Sequence, residues 1–347
     1  MDYNATTPVD PEVISAVTDA LHHAWGNPSS TYLPGAKAKD IITQARGSIA
    51  TMIGGKAADI IFTSGGTEAN NMVFHSALEL FWSSRASAEG GREENHQLNG
   101  NKVLPHIITS NVEHDSIINA AEHLLKSGKA DVTFLPVSKM TGRVEVDDVM
   151  AALRPSTCLV SVMLANNETG VIMPIRDICQ KVRSAVRPSS SPRVLLHTDA
   201  AQAIGKIKVD ARELGVDYMT IVGHKFYATR IGALYVNGPG STTPLYPLLF
   251  GGGQERNFRP GYGCTFIPVD TWIYTTSHKF EHTFLFKTPL IMCVLCRPSH
   301  ILLNCGIAYH VAANALRISV GRATTRKDVD LVVEDLKEAV EKLEQKN

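Results

Sequence analysis

The chain has 347 residues, with 34 Lys plus Arg against 34 Asp plus Glu and a pI of about 7.2. That balance supplies neither a basic surface for nucleic acid nor a field that favours an anionic membrane. A hydrophobic fraction of 44% with 20% charged residues is that of a soluble globular chain, long enough for one large core or two unequal domains.

The opening MDYNATTP has no basic start with an apolar run behind it, and it is not an Arg-rich amphipathic leader. The most apolar late stretch, 284–296, is too short to span a bilayer and contains Lys287 and Pro289. Six scattered cysteines suggest a reducing compartment, so a cytosolic protein is expected.

Asp10-Pro11 leads into a predicted helix over 12–24, with Val13, Val17, Ala20 and Leu21 on its apolar face. Gly26-Asn27-Pro28-Ser29-Ser30 breaks it, and a second helix over 36–53 closes at Gly54-Gly55. Ile60-Ile61-Phe62 reads as a short strand running into Thr63-Ser64-Gly65-Gly66-Thr67-Glu68-Ala69-Asn70, then a helix to about Leu80. A strand, a glycine turn and a helix start expose N–H groups at a positive helix end, which is an anion cradle. No Gly-Lys-Ser/Thr follows, so it is not a nucleotide P-loop. A glycine-rich turn without a ligand is the plainer alternative.

Residues 83–102 are polar and aperiodic and read as an exposed insertion. A strand over 106–109 leads to His114 at a strand-to-helix turn, where the ring can stack on an aromatic ligand or face solvent. Strands over 132–137 and 159–164, with helices over 146–153 and 175–186, continue the alternation, and Asn166-Asn167-Glu168-Thr169-Gly170 follows the second strand closely. The apolar run Val194-Leu195-Leu196 ends in His197-Thr198-Asp199, and Met219-Thr220-Ile221-Val222 ends in Gly223-His224-Lys225. A further strand covers 233–236. Such runs are buried strands of a mostly parallel α/β sheet, whose ligand edge lies at the strand ends. A lysine and a carboxylate at that edge are what pyridoxal phosphate needs, one for a Schiff base and one for the ring nitrogen.

The motifs YNATTP (3–8), GNPSS (26–30), FTSGGTEANN (62–71), VEHDS (112–116), ANNETG (165–170), HTDAAQAIGK (197–206), GHKFY (223–227), GGGQERNFRPG (251–261) and RISVGRATT (317–325) occur in this order. In them the chain resembles the class V aminotransferase-like pyridoxal-phosphate enzymes of the cysteine desulfurase group. RNFRPG after GGGQE and the insertion at 83–102 are most similar to members that act on selenocysteine. The resemblance implies a type I pyridoxal-phosphate transferase fold: a large α/β domain over 15–257, and a truncated α+β small domain from 1–14 and 258–347. It implies that Lys225 holds pyridoxal 5'-phosphate, Asp199 pairs with the ring nitrogen and His114 stacks on the ring. It further implies that Asn167 and Gln202 bond the ring O3′ region, that Gly66, Thr67 and His224 hold the phosphate, and that Arg317 grips the substrate carboxylate. The implied reaction releases selenium or sulfur from the β carbon and leaves alanine. The implied partners are the amino-acid substrate, a second copy in a homodimer and a selenium-accepting protein. No metal, nucleic acid or membrane is expected.

The family's mobile-loop cysteine lies beyond the GGG…RPG motif, where this chain departs. Tyr262 replaces the usual threonine, and 262–297 carries no family motif and no clear period. The segment breaks local pattern rules that both flanks obey, so splicing or a gene-model error is expected, with a lineage-specific replacement as the alternative. Such a product would be a cofactor-binding isoform without turnover. Cys264, Cys293, Cys296 and Cys305 are substitutes by position alone, and Cys293 and Cys296 with His300 form only a weak zinc pattern. Cys158 and Cys179 read as packed hydrophobes. Thr325 and Asp328 predict a capping box for a last helix with an apolar face of Val329, Val332, Val333, Leu336, Val340 and Leu343, part of which is expected to be exposed where the small domain is truncated.

Overall fold

The computed structural model describes residues 2–88, 103–189, 191–261, 290–292 and 298–344. Its centre is a seven-stranded sheet of β1 (Ile60–Thr63), β2 (His106–Ser110), β3 (Asp131–Leu135), β4 (Thr157–Ser161), β5 (Leu195–Asp199), β6 (Tyr218–Val222) and β7 (Gly232–Val236), in the order β1-β7-β6-β5-β4-β2-β3. β7 runs antiparallel to both its neighbours, and the other pairings are parallel. The expected large, mostly parallel α/β sheet is therefore present.

Strand residues alternate between two cores. Ile60, Phe62, Ile108, Val160, Leu196 and Met219 enter one hydrophobic cluster. Ile61, Ile107, Leu159, Leu195 and Tyr218 enter the cluster on the opposite face. Both faces are covered, which is why these strands read as continuous apolar runs. Helices α1 (Pro11–His23) and α2 (Leu33–Met52) precede the sheet. Helices α3 (Gly66–Ala88) and α4 (Asp115–Lys126) supply Met72, Val73, Phe74, Ile117 and Ala121 to the second cluster. Helices α5 (Val146–Ala152), α6 (Ile175–Ser184) and α7 (Ala211–Leu214) supply Val149, Ile178 and Ala211 to the first. Cys158 and Cys179 are buried, and burial pushes both thiols up to about 12, as packed hydrophobes require.

The boundaries of α3 and β4 differ from the sequence pattern. α3 continues past the predicted end at Leu80 to Ala88, and the Arg85 guanidinium lies 5.9 Å from the centre of the Phe81 ring, one turn back. β4 closes at Ser161 instead of residue 164, yet the Val162 and Leu164 N–H groups still donate to the His197 and Asp199 carbonyls. The last helix, Arg326–Glu344, has its predicted capping box: Thr325 Oγ1 accepts from the Asp328 N–H, and Asp328 Oδ2 accepts from the Thr325 N–H. Part of its apolar stripe is exposed, as the truncation of the small domain predicts. Val329, Val333 and Val340 are exposed, Val332 and Leu336 are half-buried, and the Leu343 side chain lies outside the described residues. A stripe of this kind needs a facing element, and the described chain before it is the short piece 298–325.

The glycine-rich segment GGGQERNFRPG is clamped to α2 and to the start of α3 by two ion pairs. Glu255 takes a bidentate pair from Arg46 at 2.6 Å and also accepts the Phe62 N–H at 2.9 Å, which caps the open side of edge strand β1. Glu255, Arg256 and Asn257 hold positive φ (45°, 58° and 67°), a left-handed run that non-glycine residues adopt at a cost. Arg259 donates to Glu68, and Glu68 accepts the Ser64 N–H at 2.6 Å at the mouth of α3. Gly232 of β7 backs the β1–α3 turn: a Cβ there would meet the Gly65 backbone at 2.5 Å.

Glu113 is fully buried at the carboxyl end of β2. It accepts from the Ser110 hydroxyl at 2.5 Å and from the Met163 N–H at 3.0 Å. Burial raises its carboxyl to about 8, opposed by these donors and reinforced by Asp199.

Glu255→Ala removes both carboxylate bonds from a part-buried guanidinium and frees an edge N–H, so chemical denaturation should show a loss of about 2 kcal/mol. Glu113 has a folded pKa above its unfolded one, so its stabilisation is complete below about pH 4.5 and is lost as pH rises through about 8. The stability of wild type relative to Glu113→Gln should therefore fall by up to about 1.4 kcal/mol per pH unit across that window. A pH-independent difference in denaturant midpoints between the two would contradict it.

Candidate active site

The carboxyl ends of β1, β2, β4, β5 and β6 share one edge, because these strands run the same way. That edge carries every sequence-predicted strand-end residue. Gly66 and Thr67 open α3, where the first N–H groups have no intrahelical partner. His114 caps α4, with Nδ1 2.9 Å from Ser116 Oγ and accepting the Ser116 N–H at 3.2 Å. Asp199 ends β5, and Gly223–Lys225 forms a tight turn directly after β6.

Lys225 Nζ donates to the Asn4 and Ala5 carbonyls, each at 2.8 Å. The same Asn4 carbonyl accepts from Gln202 Nε2 at 2.9 Å, so Lys225 and Gln202 meet on one atom. Burial first, then Arg317, lowers the Lys225 amine from the usual lysine range, against an upward pull from Asp199 and Asp2. His224 Nδ1 sits 3.1 Å from Thr6 Oγ1, and burial followed by Lys225 brings its imidazole down to about 4, so the ring is neutral.

Asp199 is buried, and Oδ2 accepts from Asn70 Nδ2 at 3.0 Å while Oδ1 accepts the Ala201 N–H at 3.0 Å. Arg317 donates through Nη1 to the Asn167 carbonyl at 3.3 Å and through Nη2 to both oxygens of Asp2, at 2.9 and 3.0 Å. Burial alone would raise the Asp2 carboxyl, yet the Arg317 bonds hold it below the usual carboxylate range. Asn4 Nδ2 reaches the Asn167 carbonyl at 3.4 Å, which joins segment 2–5 to the β4 loop as well.

Lys206 is a site neighbour that the pattern reading missed. Its amine donates to Gln202 Oε1 at 2.5 Å and to Asn4 Oδ1 at 3.1 Å. Burial, then Lys225 and Arg317, push it down to about 7. The available signal was the spacing of Gln202 and Lys206, one helical turn apart. Asn4 was likewise visible only as part of a motif, because its partners lie 163 to 315 residues away.

The donor set fits pyridoxal phosphate. It has a part-buried amine, a carboxylate, a helix-start anion cradle and a ring at the same edge. Among the described residues, Asn167 Oδ1 and Arg317 Nε are buried side-chain atoms without a hydrogen-bond partner, so each can still bond a ligand. A cleft of about 840 Å³ between α3 and α4 reaches Thr67, His114 and Ser116 but is not lined by Lys225 or Asp199. No group of three metal-ligating side chains occurs among the described residues, and no described helix is long and apolar enough to cross a membrane. Tyr262, Cys264, Cys293 and Cys296 lie outside the described residues. Cys305 is half-buried, and its thiol is raised by burial and then by Glu168.

Comparison with known proteins agrees with this chemistry. The family profile "Aminotransferase class-V" matches residues 1–88 and 95–281, so it extends into the 262–297 segment where no family motif is visible. The chain is 48% identical to selenocysteine lyase of Rattus norvegicus, covering 99% of this chain and 94% of that protein, and 47% identical to that of Homo sapiens, covering 99% and 92%. It is 34% identical to a mitochondrial cysteine desulfurase of Arthroderma benhamiae, covering 98% and 74%. The rat match spans 410 aligned residues against a chain of 347, so at least 63 aligned positions have no residue here. A solved NifS-like protein superposes with a TM-score of 0.80 at 25% identity, covering 98% of each chain. SspA in complex with cysteine superposes at 0.76 with 27% identity, covering 92% of this chain and 97% of that one. The chain belongs to the class V aminotransferase family of pyridoxal-phosphate enzymes.

Proposed function

We propose that this chain removes selenium from the β carbon of L-selenocysteine and releases L-alanine, with L-cysteine as the alternative substrate. What supports selenium over sulfur is identity: 45–48% to selenocysteine lyases of five vertebrates against 34% to a cysteine desulfurase. The observation that carries the chemistry is the convergence of Lys225, Gln202 and Arg317 on segment 2–5.

Lys225 would hold pyridoxal phosphate, with Asp199 at the ring nitrogen and His114 against the ring. Asn167 and Gln202 would bond the O3′ side, while Gly66, Thr67 and His224 would take the phosphate. The bound cofactor supplies an electron sink for the bonds broken at Cα and Cβ. Lys225, with its lowered amine, takes the proton from the substrate Cα. Arg317 orients the substrate by a bidentate grip on its carboxylate. In the free protein Asp2 occupies Nη2 of that guanidinium, so the substrate carboxylate has to displace it. We place the protein in the cytosol as a homodimer that hands selenium to an accepting protein.

A second reading has one specific observation behind it. The positions without counterparts here, and the absence of the family cysteine motif after Gly261, suit a cofactor-binding chain that does not complete turnover. Alanine release decides between the readings. Release from selenocysteine above cysteine supports the first, and release from neither supports the second.

Protein loaded with pyridoxal phosphate should show a visible absorption band that Lys225→Ala loses; a colourless wild type would overturn the cofactor assignment. Asp2→Asn should release the Arg317 fork, so L-alanine should perturb that band at a several-fold lower concentration than in wild type. Weaker binding in Asp2→Asn would mean that Asp2 organises Arg317 instead of competing for it.

A further inference from the structure

Beneath Asp199 lies a chain of buried side chains that the proposed chemistry does not use. Ser161 Oγ is 2.8 Å from His197 Nδ1, and His197 Nε2 is 3.1 Å from Thr220 Oγ1. Thr220 Oγ1 is 2.7 Å from Asn70 Oδ1, and Asn70 Nδ2 is 3.0 Å from Asp199 Oδ2. Ser161, His197, Thr220 and Asn70 are each no more than 3% exposed, and together they cross β4, β5, β6 and α3. A branch leaves Asn70 Nδ2 for Ser116 Oγ at 2.8 Å, and Ser116 Oγ is 2.9 Å from His114 Nδ1.

The direction of every bond follows from valence. A carboxylate accepts only, so the Asn70 atom facing Asp199 is the amide nitrogen and the atom facing Thr220 is the carbonyl oxygen. That oxygen also accepts only, so Thr220 spends its single proton on Asn70. Thr220 Oγ1 must then accept from His197, which places the imidazole proton on Nε2. Burial, opposed by Asp199, brings His197 down to about 4, so the ring is neutral and Nδ1 accepts from Ser161. Along the branch, Ser116 accepts from Asn70 and donates to His114 Nδ1, so a neutral His114 carries its proton on Nε2. All donors point one way, away from Ser161 and towards Asp199 and His114.

We propose that Ser161, His197, Thr220 and Asn70 are positioning residues that form a one-way hydrogen-bond relay, fixing the Asn70 amide so that it donates at once to Asp199 and towards His114. The relay rests on the proposed cofactor reading for its purpose: with Asn70 locked, Asp199 is met by donors and serves as acceptor for a protonated ring nitrogen. Turning the Asn70 amide over would place two acceptors against each other at Asp199 and take from Thr220 the oxygen to which it donates. Polar chains of this kind strengthen when every member is satisfied and fail as a unit when one is not.

The test has a cofactor-free arm and a loaded arm. Long-range 1H–15N spectra of the protein without cofactor, with His197 assigned by His197→Gln, should show the Nε2–H tautomer. An Nδ1–H or imidazolium signal overturns the polarity. With 15N-labelled pyridoxal phosphate bound, T220V should move the ring-nitrogen signal towards that of unprotonated pyridine and lower turnover about tenfold. T220S keeps the hydroxyl and should restore both. An unmoved ring-nitrogen signal in T220V overturns the coupling to Asp199. If T220V does not fold, S161A, which frees His197 Nδ1, carries the same expectation and the same reversal. Failure of the wild type to take up the cofactor overturns the proposed function instead, and the histidine arm tells the two failures apart.

Discussion

Asp199 sits at the buried end of β5 with the Asn70 amide on one oxygen and the Ala201 N–H on the other. Burying a carboxylate costs several kcal/mol unless such donors replace water. The arrangement demands that α3, β4, β5 and β6 keep their relative registers, because the donors come from different elements. The β5–β6 pairing sets Asp199 beside Thr220, and Thr220 in turn holds Asn70. The parallel sheet therefore does more than bring strand ends together: its register is the scaffold of a polar chain under the ligand edge.

The second organising contact is long-range. Segment 2–5 crosses the site and is held by Lys225, Gln202, Lys206, Arg317 and Ser319. Three cations share this small volume, which lowers the Lys225 and Lys206 amines together with burial. Asp2 is the carboxylate among them, and both of its oxygens accept from Arg317. Glu255 and Arg259 perform a structural version of the same task, tying the glycine-rich segment to the anion cradle through part-buried pairs.

Strand ends are legible in the sequence. Thr63 to Thr67, Asp199 and Lys225 follow apolar runs directly, His114 and Asn167 follow theirs within a few residues, and a parallel sheet leaves them no other edge. Ends of helices were less legible: α3 outruns its pattern because Ser83, Ser84 and Arg85 are tolerated on an exposed helical surface. The last helix shows the converse. Its stripe is clear in the sequence, but amphipathicity records a capacity for burial and does not supply the facing element.

Local order along the chain thus determined the α/β class, the ligand edge and the residue types that suit pyridoxal phosphate, because period and turn chemistry act over a few residues. Only the tertiary structure decided which side chains meet. Lys206 against Gln202 and Asn4, Asp2 in the Arg317 fork, and the path from Ser161 to Asp199 depend on strand register and on contacts spanning up to 315 residues. Hydrogen-bond direction is decided there too, since a hydroxyl, an amide or an imidazole becomes donor or acceptor only by the partner it is folded against.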